Sequence, residues 1–323
     1  MRKEACALAA VAAVWFLIPT HAVAQQWPDK SVRILVPFPP GGGTDIQARL
    51  LTIAFQKSMG QNFIVDNRTG AGGLIATQLM VDSPPDGNTI LFTSGSISVV
   101  ATLHAKRMKF DVHKDLLPIS WISSTPLVLT VHPSVPAKSV KELVALARRA
   151  PTSMNAGGNT AGSTAHLTAE MFNQVVGIKS TVLTYRGGGP AVIALISGEI
   201  DYIFATAPSI MPHIRSGKAR GLAVTTVKRS SALPDLPTMD SIYPGFESGN
   251  WYAMFYPKDT PKAIVDKMNA EIRKALETPE IKAFYPREAL DPVASSPEEL
   301  AALLTREIEK YAKVIKLANI RVE

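Results

Sequence analysis

The sequence predicts an α/β fold in two domains, and three observations carry that reading. Short apolar runs alternate with helical periodicities across glycine-rich loops near the start, and a second such alternation fills the middle of the chain. Two amphipathic helices then close the sequence with no strands of their own. Val32 to Phe38 is an apolar run broken only by Arg33, and it leads through Pro39-Pro40-Gly41-Gly42-Gly43 into a helical segment. That helix spans Thr44 to Met59, with Ile46, Leu50, Ile53 and Ala54 at helical spacing. Phe63-Ile64-Val65 is the next strand, Gly70-Ala71-Gly72-Gly73 opens a helix from Leu74 to Val81, and Asp86-Gly87 turns the chain into a strand from Thr89 to Thr93. Three β-α steps in one direction predict a parallel sheet.

Ile119 to Val131 and Asn250 to Pro257 are longer strand-like stretches, and neither leads into a glycine loop. Between them the chain reads as helix Ser139 to Arg149, strand Ser153 to Ala156, helix Ser163 to Val176 and strand Ser180 to Tyr185. Helix Gly189 to Ser197, strand Asp201 to Ala205, helix Ser209 to Gly217 and strand Gly221 to Thr226 complete that section. The tail helices, Pro261 to Leu276 and Pro297 to Leu317, have no sheet of their own to cover and are expected to pack back onto the first one. The chain then leaves the first domain near Pro126 and returns near Trp251. Residues 27–126 with 250–323 form one domain and 127–249 the other, across a cleft spanned by two crossovers. No heptad array, low-complexity tract or fixed-period repeat is present.

The first 24 residues join a basic start (Arg2, Lys3) to an apolar run from Ala5 to Ile18 and a stretch ending in Ala22-Val23-Ala24, the pattern of a secretory signal cleaved near Ala24. That run is shorter than the roughly 20 residues a membrane span needs. Cys6, the only cysteine, lies inside the signal, so the exported chain carries no disulfide, thiol nucleophile or cysteine metal site. Its length suffices to bury a core without such staples. The formal charge of +7 becomes +6 when Arg2, Lys3 and Glu4 leave. Its densest clusters, Arg148-Arg149 and Lys228-Arg229, make no basic stripe with interleaved aromatics, which argues against nucleic acid as a partner. A mild positive balance is compatible with an anionic ligand.

In open α/β sheets ligands sit beyond the carboxyl ends of the strands, where loops feed helix N-termini whose free N–H groups and dipole favour anions. Pro39 to Asp45 is such a loop by position, and Gly157-Gly158-Asn159-Thr160-Ala161-Gly162-Ser163-Thr164, followed by His166, is another. Each alone is equally a tight turn. Two at equivalent places in two domains suggest a jaw closing on one ligand. Neither matches the dinucleotide fingerprint or the Walker pattern, so no nucleotide cofactor is expected. Asp45 either orders the first helix or faces a ligand amino or hydroxyl group. Ser163 and His166 offer a nucleophile and a base, but three residues along a helix start, without an orienting acid or a G-x-S-x-G elbow, they read as loop-ordering groups. No catalytic residue is assigned. The six histidines form no H-x-x-x-H or H-E-x-x-H pair, so no metal site is expected, and His104 and His113 read as solvated. Tyr185-Arg186-Gly187-Gly188-Gly189-Pro190 is a third strand-to-helix loop. Arg186 there either complements a ligand charge or faces solvent. Asp201 either ends the preceding turn or reaches the cleft.

Several blocks together resemble the Bug-type periplasmic receptors of the tripartite tricarboxylate transporter system. They are Ile34 to Gly42 with Asp45 and Ala48-Arg49, Val65 to Gly73, Pro85-Asp86-Gly87, Pro136 to Val140 with Glu142-Leu143, and Gly162-Ser163 with His166-Leu167. Tyr185-Arg186-Gly187, Leu233 to Thr238 and Trp251-Tyr252 extend the likeness over nearly the whole exported chain. The resemblance implies a type II periplasmic-binding-protein fold, with two doubly wound α/β domains joined by a two-strand hinge. It implies a monomeric receptor in the periplasm, not an enzyme, that captures a small carboxylate (a di- or tricarboxylate, an amino acid or an aromatic acid) and delivers it to integral membrane transporter subunits. One carboxylate would be held by the loops at Phe38, Pro40, Gly41, Gly42, Gly43, Thr44 and Asp45 and at Gly157, Gly158, Asn159, Gly162, Ser163, Thr164 and His166, largely through backbone groups and water. The distal end of the ligand would meet more variable residues, and Arg186 and Asp201 complete the candidate ligand-binding set. Pro40 stands where alanine is usual in the family, Gly158 where serine is common and Thr160 where glycine is common. An exported sensor presenting its ligand to a membrane kinase, and a Ser163/His166 hydrolase, are the alternatives.

Overall fold

The computed structural model describes residues 27–149 and 153–317, so the expected signal lies outside the described residues. The chain opens with β1 (Val32–Val36), α1 (Gly43–Met59), β2 (Phe63–Asn67), α2 (Leu74–Val81), β3 (Thr89–Ser94) and α3 (Ser96–Leu103). β4 (Leu116–Thr125) and β5 (Leu127–Val131) follow, divided by Pro126. Next come α4 (Val140–Arg149), β6 (Asn155–Gly158), α5 (Thr164–Val176), β7 (Thr181–Thr184), α6 (Gly188–Ile196), β8 (Tyr202–Thr206), α7 (Ala207–Arg215) and β9 (Arg220–Val224). After a long irregular segment the chain ends with β10 (Asn250–Pro257), α8 (Lys262–Leu276), α9 (Pro279–Arg287), the short β11 (Asp291–Pro292) and α10 (Pro297–Leu317).

These strands form two sheets, ordered β11-β4-β10-β3-β1-β2 and β7-β6-β8-β5-β9. With β11 set aside, the second repeats the pattern of the first. In each, a central strand pairs in parallel with two neighbours, β1 with β2 and β3, and β6 with β7 and β8. In each, one antiparallel strand, β10 or β5, then joins the parallel group to the far edge strand. The parallel sheet expected from the first three β-α steps is therefore mixed, because β10 enters it from the opposite end after the excursion through the second lobe. The single stretch expected from Ile119 to Val131 is two strands in two sheets. Pro126 has no N–H to offer a ladder, and its carbonyl accepts from Ala207 N of the second lobe at 3.2 Å.

Strand alternation divides the apolar residues between the two faces of each sheet. On β10, Tyr252, Met254 and Tyr256 face one core with Leu51 and Phe55 of α1 and Met268 and Ile272 of α8. Trp251, Ala253 and Phe255 face the other, with Met80 of α2 and Leu300, Leu303 and Leu304 of α10. Both tail helices thus cover the first sheet, as expected. α10 begins in a capping box: Ser296 Oγ accepts from Glu299 N at 3.2 Å and Glu299 Oε2 accepts from Ser296 N at 2.8 Å. His104, expected in solvent, is buried at the end of α3, a helix that closes over the first sheet, and burial holds its pKa below the usual value. His113 is exposed.

The second lobe gathers around Phe172 of α5, whose ring lies 6.0 Å from that of Tyr202, 5.4 Å from Phe204 and 6.4 Å from Phe246. Phe246 belongs to the segment between β9 and β10, so this cluster also ties down the return crossing. Phe172→Ala is expected to cost about 3–5 kcal/mol, read as an earlier urea transition by far-ultraviolet circular dichroism.

Candidate functional site

Between the two sheets, at the carboxyl ends of their parallel strands, lies a small cavity of about 30 Å³. That is far below the roughly 300–1,000 Å³ usual for small-molecule sites. Five helix N-termini line it. From the first lobe, Gly42, Gly43 and Thr44 begin α1, and Ser94 and Ser96 lead into α3. From the second, Ser163 and Thr164 begin α5, Gly188 begins α6 and Thr206 precedes α7. Phe38, Asn159, Asn250 and Tyr252 complete the wall. None of these residues is charged. Ser163 caps its own helix, its Oγ accepting from His166 N, whereas the N-cap residues Gly42, Gly95, Gly187 and Thr206 provide no side-chain cap. The first N–H groups of those helices have no intrahelical acceptor, and each helix presents the equivalent of about half a positive charge. The chamber is electropositive without a cationic side chain.

Close approach explains two of the glycine positions. A Cβ on Gly43 would lie 2.3 Å from Tyr252 Oη and 2.9 Å from Thr206 Oγ1, so only glycine lets strands of both lobes meet the start of α1. Across the cleft a Cβ on Gly189 would lie 2.8 Å from the carbonyl oxygen of Pro40. The Pro39–Gly43 loop of the first lobe therefore packs directly on the Gly187–Gly189 loop of the second.

Of the residues singled out by sequence, Phe38, Gly42, Gly43, Thr44, Asn159, Ser163 and Thr164 line the cavity. Pro40 and Gly41 are exposed on its rim. Asp45 is buried and turned away from the cavity: it accepts from Gly41 N at 3.1 Å and Asn67 Nδ2 at 3.0 Å, and it pairs with Arg49 Nη2 at 2.9 Å. It orders the loop and is not free to meet a ligand. Gly157 and Gly158 belong to β6, not to the loop; a Cβ on Gly157 would strike Ile200 at 2.3 Å, and one on Gly158 would lie 3.3 Å from the His166 ring. The serine common in the family at Gly158 would thus point under His166. Gly162 N donates to His166 Nδ1 at 3.1 Å, so the buried imidazole holds the loop. With Ser163 Oγ given to the His166 backbone at 3.2 Å, the two residues form a helix cap and a loop tie, which is not the arrangement of a nucleophile and its base. Arg186 is exposed, in an outer groove bounded by Thr69, Ala71 and Thr160. Asp201 does not reach the cleft. It precedes β8 and accepts from Asn155 N at 2.7 Å, at the end of the sheet opposite Thr206 and about 16 Å from it along the strand. The wall residues that sequence reasoning missed are Ser94, Ser96, Gly188, Thr206, Asn250 and Tyr252.

The family description "Tripartite tricarboxylate transporter family receptor" matches residues 47–320. This chain belongs to that receptor family. Protein BugT of Bordetella pertussis is 34% identical over 295 residues, covering 91% of this chain and 90% of its own. Among solved structures, R. palustris Rpa4515 with adipate superposes with a TM-score of 0.88 at 32% identity, covering 91% of this receptor and 99% of that chain. MatC (Rpa3494) from Rhodopseudomonas palustris with bound malate gives a TM-score of 0.84 at 28% identity, covering 90% and 100%. The periplasmic binding protein BugD gives 0.88 at 29% identity, covering 92% and 100%. The receptor therefore has the type II periplasmic-binding-protein fold, and its relatives are binding proteins. Among its described residues no helix is long and apolar enough to cross a membrane.

Burial lowers the pKa of His166 below the ordinary 6.5. A folded value below the unfolded one gives stability that is complete above about pH 6.5 and is lost as pH falls through that region. Glu170, whose Oε1 is 3.9 Å from His166 Nε2, is raised above 4.5 by burial, and its contribution runs the other way, present below 4.5 and lost as pH rises. Acidification of the receptor from pH 7.5 toward 6 is expected to lower the melting temperature. His166→Asn, which keeps an acceptor for Gly162 but does not titrate, should shrink that decrease; an unchanged slope assigns it to His104 and His213, which burial also lowers. Gly43→Ala is expected to cost about 1–3 kcal/mol from overpacking, seen as a lower melting temperature.

Proposed function

We propose that this receptor is exported to the periplasm, closes as a monomer over a small carboxylate, and hands it to integral membrane transporter subunits. Residues 27–126 with 250–323 form one moving body and 127–249 the other, hinged where the chain crosses at Pro126 and Gly249. The convergence of five helix N-termini on a cavity without a charged side chain supports this reading above any other observation. A carboxylate seated there takes hydrogen bonds from orphan N–H groups and from the hydroxyls of Thr44, Ser94 and Ser96. Asn159 also lines the cavity, and its buried, unpartnered Oδ1, an acceptor, suits a ligand hydroxyl or a water and not the carboxylate itself. Arg186 in the outer groove is the cation available to a second carboxylate.

The same electrostatics ranks the ligand classes. An α-ammonium in the inner chamber would face positive helix ends, and Asp45, the residue considered for an amino group, is committed to Gly41, Arg49 and Asn67, while Asp201 is held by Asn155. Carboxylates without an amino group are therefore favoured over amino acids. The relatives solved with adipate and with malate hold acids of that kind.

Thermal melts of the exported chain with adipate, malate, citrate, nicotinate, aspartate and glutamate test both statements. A bound acid at about 100 times its Kd adds about 2.7 kcal/mol. At least one of the first four is expected to raise the melting temperature, and the two amino acids are not. If no carboxylate shifts the melt, the proposal fails.

A further inference from the structure

We infer that the Tyr252 hydroxyl is a ligand contact on the floor of the inner chamber, donating a hydrogen bond to the carboxylate seated at the start of α1. The inference rests on the carboxylate reading above and adds a specificity-determining residue to it. Tyr252 follows the crossing into β10 by two residues, and its ring is fully buried against Phe92, with centroids 6.3 Å apart. The ring belongs to the core of the first lobe, yet the hydroxyl emerges into the wall of the cavity. There it meets Gly43 and Thr206, the first residue of α1 and the last of β8.

The hydroxyl is buried and has no hydrogen-bond partner. Thr206 Oγ1, a polar neighbour from the second lobe, is held by Ser209 Oγ at 2.5 Å. Thr206, Asn250 and Gln47 stand close enough to offset part of the effect of burial, but none meets the hydroxyl at hydrogen-bond geometry. A buried hydroxyl left alone lowers stability, and native folds seldom retain one without a use. Burial pushes its pKa up to about 12, so it remains a protonated donor at any physiological pH. Helix ends supply an attractive field of little directionality. A phenol fixed by a packed ring supplies a direction, so it discriminates how the carboxylate is turned.

Tyr252→Phe keeps the ring and removes the donor. Isothermal titration of wild-type and variant protein with adipate, malate, citrate and nicotinate is expected to show affinity for the bound acid reduced about tenfold or more, the scale of a hydrogen bond to a charged group. The melting temperature of the ligand-free variant should equal or exceed that of wild type, because an unsatisfied buried group has been removed. Equal affinity in the two proteins overturns the role of Tyr252 and leaves the carboxylate reading intact. A lower ligand-free melting temperature together with weaker binding of every acid returns Tyr252 to a packing role and also overturns it. If wild type binds none of the four, the carboxylate reading and the inference fall together.

Discussion

Five helices that begin around one cavity, none of them placing a charged side chain in its wall, form the constraint on which the rest of this molecule turns. Parallel helix ends repel one another, so their convergence must be enforced by packing. In the first lobe α1 is held by Leu51 and Phe55 against the sheet and by α8 beyond it, and α3 by Ile97 against the core on the other face. In the second, α5 is anchored through Phe172 to Phe204. Reversal of strand order beside β1 and beside β6 opens a crevice above each sheet. Because the sheets share one topology, the crevices are equivalent and face each other.

Contact between the lobes is made by closely facing loops, a small apolar cluster and a few polar pairs. The facing glycine loops meet closely, Gly187 against the Pro39 ring and Gly189 against the Pro40 carbonyl. Val99 of α3, Leu167 of α5 and Tyr311 of α10 form a small apolar cluster on the flank. Asn250 Oδ1, at the return crossing, accepts from Gly95 N at 3.1 Å and from Thr164 Oγ1 at 3.4 Å, linking helix starts from both lobes to the strand that joins them. Arg215 pairs with Glu288 at 2.8 Å, but the Arg215 side chain is 42% exposed, so salt screens much of that attraction. These are contacts suited to repeated opening.

Much of the architecture was legible in the sequence, for reasons that also explain the gaps. α2 and α10 were bounded correctly because punctuation marks their starts, Gly73 before one and the Ser296–Glu299 capping box before the other. α3 was missed because Ser96-Ile97-Ser98-Val99-Val100 carries β-branched residues that disfavour helix locally. Burial of Ile97, Val99 and Val100 overrides that preference. The strand-end rule was applied to glycine loops alone. Applied to every parallel strand it marks Ser94 and Thr206, and it rejects Asp201, which opens a strand at the wrong end of the sheet. Tyr252 had no such signal. Every residue of β10 is buried, and an aromatic there looks like core until the course of α1 is known.

A neutral clamp has an energetic consequence that a salt bridge would not share. A cationic side chain placed in this cavity would be left buried and unpaired whenever the lobes closed without ligand, which is strongly unfavourable. Helix dipoles are fixed by the fold and are already paid for by packing, so the empty and loaded receptor differ little in internal strain. The attraction is spread over many weak donors, which favours capture of an anion without making its release prohibitive. Arg186, exposed in the outer groove, stays hydrated. On the function proposed above, discrimination between ligands of different length falls to that groove, whereas recognition of the carboxylate rests on the backbone of both lobes.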